Sequence, residues 1–244
     1  MNDAVVIHNV SKKFKNFQDK TQDFFALQDV TLSIPEKKCT LIAGSNGSGK
    51  TMLMSLIAKL EKPTSGKITC SGDVGIIFQE SETQILGETP YEDIAISLHR
   101  KKLTSSEKDA LITEMLFKTN LLNKKNFSTR TLSGGEKRRL AVASMLALDF
   151  PIIIFDEPYA NLDYPGVVAL NALLKDLKKI GKTILLLTHE LEKCMALADN
   201  FIVLHKGKVR LNLSPEEALK EDLTCFGIKN PLTHYTTLSD LEWK

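Results

Sequence analysis

The run Gly44-Ser45-Asn46-Gly47-Ser48-Gly49-Lys50-Thr51 sets glycines, a lysine and a hydroxyl at the spacing G-x-x-x-x-G-K-T. Glycine tolerates positive φ, so Gly44, Gly47 and Gly49 let the backbone curl close around an anion. Successive amide N–H groups then line a concavity, backed by the positive end of the helix that follows. Lys50 adds a compact cation for β- and γ-phosphates, and the Thr51 hydroxyl stands where it can ligate Mg²⁺. A plain glycine turn with a chance lysine is the bland alternative. The flanks argue against it: the apolar run Cys39 to Ala43 precedes the glycines, and Leu53, Leu56, Ile57 and Leu60 follow at helical spacing.

A second anion-binding pattern is Leu132-Ser133-Gly134-Gly135-Glu136. Ser133 and Glu136 match a capping box, which accounts for a helix start. It does not account for two glycines in the first turn, each costing about 1 kcal/mol against alanine. Glycines there keep side chains off the exposed amides and leave an open site for a phosphate.

Two carboxylates, Asp156 and Glu157, end the apolar run Ile152 to Phe155. A hard cation such as Mg²⁺ prefers carboxylate and water oxygens, which suits Asp156. Glu157 can address a water that attacks a γ-phosphate, although two acids at a strand end also serve as a simple chain reversal. Gln79 and His189 each lie just past an apolar strand, at the edge where parallel sheets hold ligands. A surface glutamine and a structural histidine are the alternatives, the other role of His189 being contact with the γ-phosphate. Phe14 ends a strand upstream of the phosphate loop, where its ring either stacks on adenine or fills core. From Glu80 to Asp93 there are five acids and no base (Glu80, Glu82, Glu88, Glu92, Asp93), read either as a solvated face or as a dock for a basic segment.

These groups must be positioned by strands and helices in alternation. Strands are expected at Ala4–Lys13, Val30–Ile34, Cys39–Ala43, Lys67–Cys70, Val74–Phe78, Ile152–Phe155 and Thr183–Leu187, with a hairpin of Phe201–His205 and Lys208–Leu213. Phe17 and the polar stretch Gln18 to Asp23 separate the first two. Helices are expected at Tyr91–His99, Ser105–Thr119, Ser133–Leu148 and Pro165–Ile180, the last with Val168, Leu170, Leu173, Leu174 and Leu177 on one stripe and Gly181 as its stop. The fold class is therefore α/β: a phosphate-loop NTPase core, with a mixed sheet and an antiparallel β subdomain, interrupted by an α-helical subdomain. Residues 1–88 and 149–220 make the core, about 89–148 the helical part, and 221–244 a tail without strong periodicity.

With 244 residues and 43% apolar content the chain can bury one sizeable core. Its net charge of +2 lacks the concentrated basic face of a nucleic-acid binder. Cys39, Cys70, Cys194 and Cys225 are scattered without C-x-x-C spacing, as expected of free thiols in a reducing compartment. The start enters a strand with no leader, and the longest apolar runs fall far short of the ~20 residues of a membrane span. Any membrane role is expected to come through a partner, with the chain facing the cytosol.

The motifs together resemble the nucleotide-binding subunits of ATP-binding-cassette transporters. The likeness runs from about Val5 to about Leu219: phosphate loop, Gln79, the LSGGE signature at Leu132–Glu136, Asp156-Glu157, Asp163 and His189, in that order. A narrower resemblance is to the ATPases of energy-coupling-factor importers of vitamins and metal ions. It rests on Phe78 through Gln84, Thr89, Glu92 to Ala95, Glu136-Lys137-Arg138-Arg139 and Gly227 to Pro231. Met52 departs from the usual second hydroxyl after Thr51, Tyr159 replaces a small hydroxyl residue after Asp-Glu-Pro, and the link from Lys67 to Val74 is short.

The resemblance implies the ABC ATPase fold and ATP with Mg²⁺ as the bound pair. It implies Phe14 on adenine, residues 44–51 on phosphates, and Thr51, Gln79 and Asp156 around the metal and its water. It further implies Glu157 as general base, Lys50 and His189 on the γ-phosphate, Ser133, Gly134 and Gly135 closing over that phosphate from a second cassette, and Asp163 among the nucleotide-binding residues. That second subunit is identical or a paralogue. The other implied partners are a transmembrane coupling subunit and a substrate-binding membrane subunit, with no nucleic acid. An ATPase of another cassette importer or exporter is the near alternative, and a soluble cassette ATPase the distant one.

Overall fold

The computed structural model describes residues 2–15 and 23–233. Phe17, Gln18–Gln22 and the end of the tail, 234–244, lie outside the described residues. The first layer is an antiparallel sheet of β1 (Asp3–Phe14), β2 (Phe24–Pro35) and β4 (Ser65–Cys70), in the order β2-β1-β4. The second holds β3 (Cys39–Ala43), β5 (Val74–Ile77), β6 (Ile152–Asp156), β7 (Thr183–Leu187), β8 (Asn200–His205) and β9 (Lys208–Leu213). Its order is β5-β6-β7-β3-β8-β9, parallel except for the terminal β8–β9 hairpin. β2 begins earlier than its apolar run at Val30, because Phe24 and Phe25 pair with Phe14 and Lys13 across the ladder.

The parallel strands of the large sheet are buried on both faces, which explains why they read as nearly continuous apolar runs, while the edge strand β9 alternates. Ile42, Ile154, Leu185 and Leu187 point toward β1, β2 and helix α1 (Lys50–Ile57). Their strand neighbours Leu41, Ile153, Phe155 and Leu186 point the other way, against helix α5 (Tyr164–Lys179). Between β5 and β6 stand α2 (Pro90–Ser97), α3 (Ser105–Lys118) and α4 (Gly134–Leu148), with their own core of Ile94, Ile112, Leu116, Leu121 and Leu140. α4 belongs to both units: Leu140 and Ala143 face the helical core, while Ala141 and Val142 join the core under α5. A short helix α6 (Pro215–Ala218) closes the order.

Helix ends follow their local chemistry. Ser133 caps α4 and Thr104 caps α3 in reciprocal boxes with Glu136 and Glu107. Thr89 and Asp163 cap α2 and α5 through their side chains, each helix opening on or near a proline. Two apolar residues are not where a helical stripe puts them. Leu60 is exposed because α1 stops at Ile57, where Lys59 turns left-handed and the Leu60 amide closes back on the Ser55 carbonyl. Val168 is exposed because α5 buries only the side carrying Leu170, Leu174 and Leu177. All four cysteines are free thiols, as expected.

Candidate functional site

Four adjacent parallel strands deliver the chemistry to one edge. In the order β5-β6-β7-β3, their carboxyl ends release Gln79, Asp156-Glu157, Thr188-His189 and the phosphate loop side by side. The ladder extends past the strands, with the Glu157 amide donating to the Leu187 carbonyl at 2.7 Å. Glu157 itself takes φ +44°, so the chain turns before Pro158 is reached. Strain of that kind in a non-glycine residue of a strand-end loop points to a functional position.

Two of the loop glycines are demanded by packing and one by space. A Cβ on Gly44 would meet the Leu204 carbonyl at 2.3 Å, and one on Gly49 (φ +107°) the Ala26 carbonyl at 2.7 Å. Gly47 has φ +76° and open space around it, so there the backbone is bared toward a ligand. Lys50 is only 7% exposed and folds back, its Nζ donating to the Gly44 carbonyl at 2.6 Å and the Ser45 carbonyl at 3.3 Å. Burial pushes the Lys50 ammonium down from its ordinary value, while Glu157 and Asp156 hold it up in part. Asp156 moves up from the carboxylate range, first through burial and then through Glu157, against the opposing pull of Lys50. The site thus holds a cation and two anions in partial desolvation, a cost that a bound cation and polyanion would relieve.

A cleft of about 420 Å³ joins Phe14, residues 46–51, Gln79, Asp156 and Glu157. Gly44 and Ser45 form the loop's base, and His189 reaches the cleft through Glu157: its Nδ1 lies 3.1 Å from Glu157 Oε2. The Phe14 ring is 40% exposed, with the Lys12 ammonium 5.1 Å from its centroid. Phe24, Ala26 and Met52 also line the cleft. Phe24 escapes a reading of the sequence that starts β2 at Val30, yet the Phe24-Phe25 pair is the signal that the strand begins sooner.

The second set of residues is not in that cleft. Ser133, Gly134, Gly135 and Asp163 border a separate, larger cavity of about 980 Å³, which shares Gln79 with the first. Neither glycine of the signature has an atom within 4 Å of a would-be Cβ, so the first turn of α4 is open. Asp163 accepts from the Gly166 amide at 3.0 Å and caps α5. Arg138, buried in α4, donates to the carbonyls of Pro158 and Gln79 and ties the helical unit to both loops. Nothing in the spacing of Arg138 distinguishes it from its half-buried neighbours Lys137 and Arg139.

The acidic stretch divides. Asp93 is 5% exposed; its Oδ1 accepts from the Leu86 and Gly87 amides and its Oδ2 from the Ser144 hydroxyl, so it is structural and not part of a docking face. Glu82 pairs with Lys137 at 2.9 Å, and Glu92 accepts from the Glu88 amide. Among the described residues, no cluster of three or more His, Cys, Asp or Glu could hold a metal by side chains alone, and no helix is long and apolar enough to cross a membrane.

The model of the family described as ABC transporter matches residues 27–160. A relative from Mycoplasma mobile, the energy-coupling factor transporter ATP-binding protein EcfA1, is 35% identical, covering 87% of this chain and 82% of that protein. The EcfA1 of Mycoplasmopsis pulmonis is 36% identical over 91% and 90%. Among solved structures, CbiO1 from Clostridium perfringens, part of the ABC transporter complex CbiONQ, superposes with a TM-score of 0.81. It shares 27% identity and covers 91% of this chain and 92% of its own. The dimeric cassette MJ0796 in a post-hydrolysis state with ADP and phosphate gives 0.76 at 28% identity, covering 86% and 98%.

Proposed function

The chain belongs to the ABC transporter family, and from that membership we propose that it is the ATP-hydrolysing subunit of an energy-coupling-factor importer. It would sit at the cytoplasmic face of the membrane and power uptake of a small solute, a vitamin or a metal ion, through membrane partners. The observation that carries this reading is the strand order, which gathers Lys50, Gln79, Asp156 and Glu157 around one phosphate-loop cleft.

The residues fit ATP with Mg²⁺. Gly47 presents bare backbone, and Lys50 is pinned to carbonyls that phosphate oxygens would replace as acceptors. Thr51, Gln79 and Asp156 would supply hard oxygen ligands to a bound Mg²⁺, whose charge would offset that of the phosphate oxygens. Glu157 takes the proton from the attacking water. His189, 3.1 Å from Glu157, orients that carboxylate and senses the γ-phosphate. Phe14 stacks on adenine.

Neither anion site encloses a nucleotide, because Ser133–Gly135 and Asp163 open onto a different cavity from the phosphate loop. A second cassette, identical or paralogous, supplies the missing wall head to tail. ATP then acts as glue and hydrolysis releases it, a switch whose full swing needs ~5.5 kcal/mol of differential binding. The exposed part of the acidic stretch, Glu80, Glu82, Glu88 and Glu92 beside exposed Leu86, receives an arginine-bearing helix of the transmembrane coupling subunit. A substrate-binding membrane subunit completes the assembly, and nucleic acid has no part in it.

Glu157→Gln tests the reading. It should keep ATP binding, slow phosphate release by ~10²–10⁴-fold, and trap a closed pair of cassettes in the membrane assembly. Near-normal turnover would remove Glu157 from the role. A trapped form that stays solitary and co-purifies with no membrane subunit would sink the importer reading.

A further inference from the structure

Tyr159 is the largest fully buried side chain among the described residues, and it does not line the cleft. A phenol in a core of Cys39, Phe155, Leu170 and Leu174 is costly unless its hydroxyl is satisfied. It donates to Asn171 Oδ1 at 2.6 Å, and Asn171 Nδ2 donates in turn to the Lys193 carbonyl at 2.8 Å. Both Asn171 functions are thereby used, one toward each neighbour.

The ends of this chain of bonds matter. Tyr159 sits two positions beyond Glu157, in the loop that carries it. Lys193 lies in the turn that follows His189, a turn stitched by the Glu190 amide on the Thr188 hydroxyl at 3.1 Å and by a Glu190–Lys193 ion pair. The two loops are therefore tied twice. On the cleft side Glu157 meets His189; on the core side Tyr159, Asn171 and the Lys193 carbonyl join the same loops through α5.

We propose that Tyr159 and Asn171 are positioning residues for hydrolysis: their hydrogen-bonded brace sets the spacing between the Glu157 loop and the His189 turn. Neither touches the nucleotide, and their effect on the reaction is exerted through Glu157 and His189. The proposal rests on the reading of those two as the hydrolytic pair. Burial pushes the Tyr159 phenol far above its ordinary value, so it remains a donor wherever the protein is folded.

The test is steady-state ATP hydrolysis by the full-length chain, co-expressed with the cassette and membrane subunits it assembles with. Tyr159→Phe keeps the ring and removes one link; Asn171→Ala removes both. Each should cut kcat by about tenfold while KM for ATP·Mg²⁺ moves less than about twofold, since the phosphate loop is untouched. The double variant should lose no more than the worse single, because a chain broken once is broken. Unchanged kcat with only a lowered Tm, or losses that multiply in the double, overturns the brace. If one variant does not fold, the other breaks the same chain and reads the same way. A wild-type protein without turnover, or a Glu157→Gln variant with full turnover, fails the underlying reading; wild-type kcat in the brace variants with Glu157→Gln inactive fails the brace alone.

Discussion

The Lys50 ammonium lies 2.6 Å from the carbonyl oxygen of Gly44, six positions back in its own loop. A buried cation is thus held by neutral acceptors at the place where a polyanion would sit. Exchange of those carbonyls for phosphate oxygens turns hydrogen bonds charged on the donor alone into bonds charged on both partners. Lys50→Ala should weaken ATP·Mg²⁺ binding by roughly ten- to a hundredfold, the size expected for one lost charge-assisted bond. Isothermal titration calorimetry reads it directly, and a Kd within about threefold of wild type would remove Lys50 from the phosphates.

Gly47 and Gly49 separate binding from folding. Gly49→Ala drives a methyl into the Ala26 carbonyl and the Leu27 side chain, so the melting temperature should fall steeply. Gly47→Ala has open space and costs the ligand-free fold only about 1–2 kcal/mol for the left-handed backbone. Its nucleotide affinity should drop all the same, since the added carbon stands over bared amides. Equal melting temperatures for the two variants would contradict the loop geometry.

Asp156 makes a prediction in pH. Its folded value is raised by burial and by Glu157, so its contribution to the fold is fullest while protonated and is lost as pH rises through that folded value. At neutral pH the ionised carboxylate therefore costs the ligand-free protein. Asp156→Asn should melt higher than wild type at pH 7, and its advantage should shrink as the pH falls through the raised Asp156 value. Mg²⁺ with ATP should stabilise wild type more than the variant, and chelation should abolish that difference. A variant that melts lower at pH 7 and gains nothing in acid would reverse the sign of the argument.

The acidic stretch predicts a contrast between neighbours. Asp93→Ala leaves two amides and the Ser144 hydroxyl without their acceptor and should destabilise the protein by roughly 2–4 kcal/mol. Glu88→Ala, at an exposed side chain, should change stability by less than about 0.5 kcal/mol. Charge reversal at Glu82 and Glu92 should leave the fold intact yet uncouple ATP hydrolysis from transport. Unchanged assembly and transport in that double variant would end the docking proposal.

The local shape of the candidate site was legible in the sequence because its signals are short-range. Glycine spacing sets φ along the phosphate loop, Ser133 and Glu136 close a cap within one helical turn, and the short apolar runs at Ile152–Phe155 and Thr183–Leu187, bounded by turn residues, read as buried strands. Helix boundaries at Ser105–Lys118 and Gly134–Leu148 follow the same short-range rules. What the tertiary structure decided depends on residues far apart in the chain. Only the order β5-β6-β7-β3 brings Gln79, Glu157 and His189 beside Lys50, since strand adjacency is set by crossovers and packing and not by the strands' own residues. Asp93 became structural because Ser144 arrives from a helix 51 positions on, and Leu60 and Val168 stayed in solvent because their helices stop or turn away from the core. Tyr159 looked like a substitution in a motif; in the fold its hydroxyl meets Asn171, because a buried phenol must find a partner.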